Sequence, residues 1–175
     1  MSGKNVPELT APDGWRSLDE MAPDGTRSFV SGDPAGRRLR VRYFWNRAQQ
    51  AFMARVWFGE KAEGPPGHAH GGSMAAVMDE AMGAAAWTNG HPSVAVQLTI
   101  DFREMLPLGS VATAHVWAET VDGRKISMAG RLESDDGTVY CESRGLFIEV
   151  EPGRFGRLSQ HALRARSRAA KTRRP

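Results

Sequence analysis

The 175 residues suit one domain large enough to bury a core, and 41% hydrophobic with 25% charged side chains is the balance of a soluble globular protein. No run approaches the ~18 apolar residues of a membrane span, and residues 1–19 lack the basic start and apolar stretch of a secretory signal, so a cytoplasmic protein is expected. Eight of the 23 basic residues lie between Arg154 and Pro175 with no acidic one among them; residues 1–153 hold 15 basic against 20 acidic side chains, a net of −5.

Residues 1–36 read as an irregular lead-in, with Pro-Asp-Gly turns at Pro12–Gly14 and Pro23–Gly25 and a weakly signalled helix around Trp15 to Met21. The domain proper is expected over 37–152. Leu39, Val41, Tyr43 and Trp45 alternate with Arg40, Arg42, Phe44 and Asn46, a period of two that predicts a strand. Ala51 to Phe58 predicts a second strand after a short polar break, as a hairpin requires. Glu63-Gly-Pro-Pro-Gly67 continues neither strand nor helix and must be a shaped loop.

From Gly72 to Trp87 the spacing predicts one long helix. Met74, Val77, Met78, Ala81, Met82 and Ala85 form an apolar stripe, and the other faces are small, so the helix is expected to be surrounded by protein. Only Asp79 and Glu80 interrupt it. Four strands should follow without another helix: Val94 to Arg103, Ser110 to Thr120, Lys125 to Ser134 and Thr138 to Val150. Asp122-Gly123 and Asp136-Gly137 mark hairpin turns. Two strands, a central helix and a four-stranded meander make an α+β fold, an antiparallel sheet curled around the helix. The basic residues 153–175 read as a solvated tail. They hold only Phe155 for base stacking, so nucleic acid is not an expected partner.

The chemistry concentrates in residues 64–83. Gly71 and Gly72 let a ligand approach the backbone, and the free N–H groups of the first helical turn suit a developing oxyanion. Ser73 is a candidate N-cap. Asp79 lies about two turns further, roughly 11 Å of rise, too far for both groups to reach one carbonyl within one subunit. Helices packed side by side in a dimer would bring each Asp79 to the neighbour's glycine turn. A carboxylate in a buried Ala/Met helix is either paired for structure or used for chemistry. Glu80 points about 100° away, so only one of the two faces a given site.

The run Gly64-Pro-Pro-Gly-x-x-His70-Gly-Gly, with Asp79 nine residues after the His, resembles the hot-dog-fold thioesterases, most closely the phenylacetic-acid-degradation-type and mitochondrial acyl-CoA thioesterase branch. The resemblance extends over about residues 38–151 through Gln97-Leu-Thr-Ile-Asp-Phe-Arg103, Leu106-Pro-Leu-Gly109, Val121-Asp-Gly-Arg-Lys125 and Gly145-Leu-Phe-Ile-Glu-Val150. It implies dimers built by sheet extension, often dimers of dimers, and hydrolysis of acyl-CoA without a cofactor. It also implies that the Gly71 N–H polarises the thioester, that His70 supports the turn, and that the partner's Asp79 serves as general base or nucleophile. Many relatives place Thr or Ser sixteen to eighteen residues past the Asp; Ala95, Val96 and Gln97 stand there, with Ser93 just before, making Gln97 and Ser93 the polar candidates. Where some relatives carry Asn or Gln upstream, Gly64 stands, and His68 is the nearest polar side chain. With Gly72, these residues form the expected substrate-binding set.

His68-x-His70 lacks a third ligand at a metal-binding spacing, so no metal is expected. Cys141 is alone, which points to a reducing compartment and not to a nucleophile. His91 and His115 read as surface or packed histidines. A hydratase or dehydratase of the same fold, and an acyl-CoA-binding module without turnover, are the competing functions.

Overall fold

The computed structural model describes residues 6–18, 28–32, 35–46, 48–49 and 51–151. The Pro23–Gly25 turn and the basic tail lie outside them. Seven strands and one long helix follow in the order β1 (Arg16–Ser17), β2 (Leu39–Asn46), β3 (Ala51–Phe58), α1 (Gly71–Thr88), β4 (Ser93–Phe102), β5 (Val111–Asp122), β6 (Lys125–Glu133) and β7 (Val139–Glu149), with a 3-10 turn at Glu60–Ala62. They form one antiparallel sheet in the order β1-β2-β3-β5-β6-β7-β4, with α1 against one face. No helix among the described residues is long and apolar enough to cross a membrane.

Two expectations give way here. The helix expected near Trp15 is instead a short strand, Arg16 and Ser17 pairing with Trp45 and Phe44; Asp19 to Met21 lie outside the described residues. An existing sheet edge offers extended backbone its hydrogen bonds, and weak local helix propensity does not compete with that. The meander, in turn, contains only β5, β6 and β7. β4 crosses to the far edge and pairs with β7, and β5 pairs with β3 instead. The reason lies in residues 103–110, which form no hairpin. They run past the start of α1, where Leu106 O accepts from Ala69 N (2.8 Å) and Leu108 N donates to Gly67 O (2.9 Å), and join β3 where Gly109 N donates to Phe58 O (2.7 Å).

The helix lies close to the sheet because the sheet has glycines beneath it. A Cβ on Gly130 would stand 2.8 Å from Met78 Cε and from His115 O, and one on Gly145 would stand 3.5 Å from Met82 Cε. Met78 and Met82 are thus fully enclosed, as are Phe58, Leu106, Ile126, Met128, Leu132 and Phe147 around them. The helix is not surrounded within one chain, however. Met74, Val77, Met78, Ala81, Met82, Ala85 and Ala86 are buried, while Gly72 is exposed and Ala75, Asp79 and Gly83 are half-exposed on the side away from the sheet. One sheet covers one side of a helix, and the small residues of the other side stay half-exposed among the described residues.

Candidate active site

The loop before α1 is held by its own hydrogen bonds. Gly64 N donates to His68 O (2.9 Å), Gly67 N to Glu63 Oε1 (2.8 Å) and His70 N to Ala62 O (2.7 Å). Pro65 and Pro66 restrict the backbone between them, and Gly67 takes the left-handed conformation (φ +77°) that glycine adopts without strain. The result is a fixed approach to the helix.

His70, not Ser73, caps α1. Its Nδ1 accepts from Gly72 N at 2.8 Å, which places the proton of the neutral ring on Nε2, while Ser73 Oγ donates to His70 O at 2.6 Å. The Gly72 N–H is therefore occupied. The Gly71 N–H has no hydrogen-bond partner among the described residues, and of the two glycines it is the free donor at the positive end of the helix dipole. Gly64 packs under the cap: a Cβ there would come within 2.7 Å of His70 Cα and 2.9 Å of its Cβ. On the other side, Phe102 at the end of β4 lays its ring over Gly71. Neither contact is legible in spacing, because Phe102 comes from a strand that reads only as half-buried.

Eight residues along the helix, roughly 12 Å from Gly71, Asp79 is half-buried and makes no hydrogen bond or ion pair among the described residues. Its carboxyl pKa is raised, first by burial and then by the charge of Glu80. Glu80 has the opposite circumstances, since its carboxylate accepts from both Tyr43 Oη and Ser28 Oγ. Tyr43 is in turn pushed far above the usual phenol range by burial and by that carboxylate. The paired, structural acid is Glu80, and the unpaired one is Asp79.

The remaining candidates lie apart from this pair. His68 is half-buried, its Nδ1 2.9 Å from Pro66 O, and its backbone bridges Pro107. Gln97 follows a bulge in β4 and pairs with Leu146, whose neighbours Gly145 and Phe147 face α1; the register thus turns Gln97 to the outer face of the sheet, away from Asp79. Ser93 is buried beside the far end of α1, where Trp87 Nε1 donates to its carbonyl (2.9 Å), and its Oγ has no partner among the described residues. Within one chain neither Gln97 nor Ser93 is brought to Asp79.

Among the described residues no three His, Cys, Asp or Glu side chains converge as metal ligands do. Cys141 is buried, and burial pushes its thiol up to about 11, the setting of an inert cysteine. His115 stands 3.3 Å from Glu133 on the outer face and His91 3.7 Å from Glu149. Two clefts of about 300 and 190 Å³ open around His115, and neither is lined by Asp79 or Gly71.

One long helix packed against a seven-stranded antiparallel sheet is the hot-dog fold of the thioesterases. Residues 66–141 match the thioesterase superfamily model. The human acyl-coenzyme A thioesterase THEM5 is 36% identical over 117 residues, 66% of this chain and 47% of that protein. The chain spans half or less of the length of the first such relatives. A crystal structure of a thioesterase superfamily protein is 31% identical with a TM-score of 0.59, covering 62% of this chain and 56% of that one. A thioesterase protein from Streptococcus pneumoniae, solved with coenzyme A, shares the fold at 17% identity and a TM-score of 0.55, covering 57% of this chain and 81% of that one.

Proposed function

We propose that the protein hydrolyses an acyl-CoA thioester to the free acid and coenzyme A, with the site shared between two subunits. The observation that carries this reading is the contrast on α1: an unpartnered, half-buried Asp79 beside a fully paired Glu80, on a helix whose first N–H is free. An unpaired carboxylate held partly out of water is poised to take a proton. In this scheme the thioester oxygen accepts from Gly71 N–H, and water attacks the carbonyl carbon while Asp79 of the partner subunit removes its proton. The C–S bond then breaks, and the coenzyme A thiolate leaves and is protonated. Direct attack by Asp79, followed by hydrolysis of the anhydride, gives the same products. The relatives named as acyl-coenzyme A thioesterases support the substrate class.

The edge of β4 supports a shared site formed by pairing two chains along it. β4 is ten residues long, its outer edge pairs with nothing among the described residues, and Val94, Val96 and Phe102 are exposed along it. A long apolar edge of this kind recruits another strand.

The test is steady-state release of free thiol from a panel of acyl-CoAs. Asp79→Asn keeps the volume and the helix, and turnover is expected to fall roughly 10²-fold or more with coenzyme A binding retained. Glu80→Gln should keep most of the turnover and lose stability instead, by about 1–3 kcal/mol, because it weakens two hydrogen bonds to a charged acceptor. A dead Glu80 variant beside an active Asp79 variant would reverse the assignment. Acyl-CoA binding without any thiol release by the wild type would identify a binding module.

A further inference from the structure

Gly71 has no left-handed φ that calls for glycine, so its identity needs another cause. That cause is Phe102. The three atoms nearest a Cβ placed on Gly71 would all belong to the Phe102 ring, Cζ at 3.1 Å, Cε1 at 3.3 Å and Cε2 at 3.6 Å. The ring is held from its own backbone. Phe102 pairs with the fully buried Cys141, and the next two amides, Arg103 N and Glu104 N, donate to Tyr140 O at 2.8 and 3.3 Å. Arg103 is further bound to Glu142 at 2.7 Å. Yet the side chain itself is 53% exposed. A fixed strand end thus places a half-open aromatic ring, Cζ foremost, beside Gly71, the residue whose N–H is free among the described residues.

Resting on the thioesterase reading, we propose that Phe102 is a positioning residue of that site, a wall that keeps water from one side of the Gly71 N–H and directs the thioester carbonyl onto it. A hydrogen bond to a developing oxyanion strengthens as nearby water is excluded, and the gain falls in the transition state more than in the bound substrate. The wall therefore acts on kcat. Its apolar face also meets the carbons flanking the carbonyl without offering a competing hydrogen bond.

A double-mutant cycle tests this in the full-length protein. Leucine lacks the Cε and Cζ atoms that approach Gly71 but keeps an apolar side chain. Phe102→Leu is expected to lower kcat about 3- to 10-fold with KM within about twofold, the pattern of a transition-state contact. Gly71→Ala should lower kcat/KM by about 10-fold or more as its methyl displaces the ring across the N–H. The double variant, relieved of that clash, should be faster than Gly71→Ala alone, a non-additivity that marks direct contact. Additive losses, or a Phe102→Leu effect confined to melting temperature with kcat unchanged, would overturn the role of Phe102. A wild type that releases no thiol from any acyl-CoA overturns the thioesterase reading itself, and that result appears before any variant is measured.

Discussion

Asp79 and Glu80 are adjacent in the chain and opposite in environment. Glu80 is tied to residues 37 and 52 positions away, Tyr43 and Ser28, and a sequence shows no such pairing because nothing local encodes it. A carboxylate set in an alanine and methionine helix stands out in the sequence, but Asp79 and Glu80 do so equally, and only the fold shows that Asp79 lacks a partner among the described residues. The raised pKa of Asp79 has a consequence for stability. A carboxyl whose folded-state pKa lies above its unfolded value binds its proton more tightly in the native protein, so ionisation costs stability as pH rises through that pKa. Below the ordinary carboxylate range both states are protonated and the cost vanishes. Asp79→Asn should therefore melt at a higher temperature than the wild type at neutral pH, with the difference closing as pH falls below that range. A variant that melts lower at neutral pH would show Asp79 to be a paired structural acid after all. The same upward displacement predicts that hydrolysis declines on the acid side at a pH above the ordinary carboxylate range, since the ionised form does the work.

At the scale of elements, periodicity and turn chemistry located every strand from β2 to β7 and the helix to within two residues at each end. The hairpin glycines at 123 and 137 take the positive φ that their Asp-Gly pairs foretold. Strand order was not legible. An alternating pattern reports that one face is buried but not which strand lies alongside, and so β4 was read into the meander that it leaves. Nor did the glycines inside β6 and β7 announce themselves, because their reason lies in packed side chains, Met78 Cε beside Gly130 and Phe147 Cε2 beside Gly145. Gly130→Ala tests that fit. The new methyl would meet Val116 Cγ1 at 2.7 Å and His115 O at 2.8 Å, and backbone does not yield as a methionine terminus does. Denaturation should show a loss of about 1–3 kcal/mol, the cost of overpacking a dense core. Unchanged stability would mean the helix can lift from the sheet.

The whole molecule has two unlike edges. Among the described residues β1 closes one with two residues, whereas the ten residues of β4 carry no further strand at the other, beside the half-exposed stripe of α1. A dimer across that edge would explain the half-exposed Ala75, Asp79 and Gly83, which a reading from one chain alone expected to be buried. We expect the protein to sediment as a dimer or larger assembly. Val96→Lys, at a side chain 57% exposed, should shift it toward monomer with a parallel loss of turnover. A stable monomer with full activity would remove the shared-site scheme.

β4 is joined to the sheet through β7 alone, from Ser93 opposite Glu149 to Phe102 opposite Cys141. During synthesis, then, the glycine turn, the helix and Phe102 all leave the ribosome before the strand that seats them. About 40 residues separate Phe102 from Cys141, a delay of roughly 2–8 s at ordinary elongation rates. Over that interval an apolar helix and an unpaired strand wait together, and sequence-distant pairing of this kind is slow to form even afterwards. A nascent chain halted before β7 should hold β2 and β3 as a hairpin but leave Phe102 without the Cys141 partner that seats it beside Gly71.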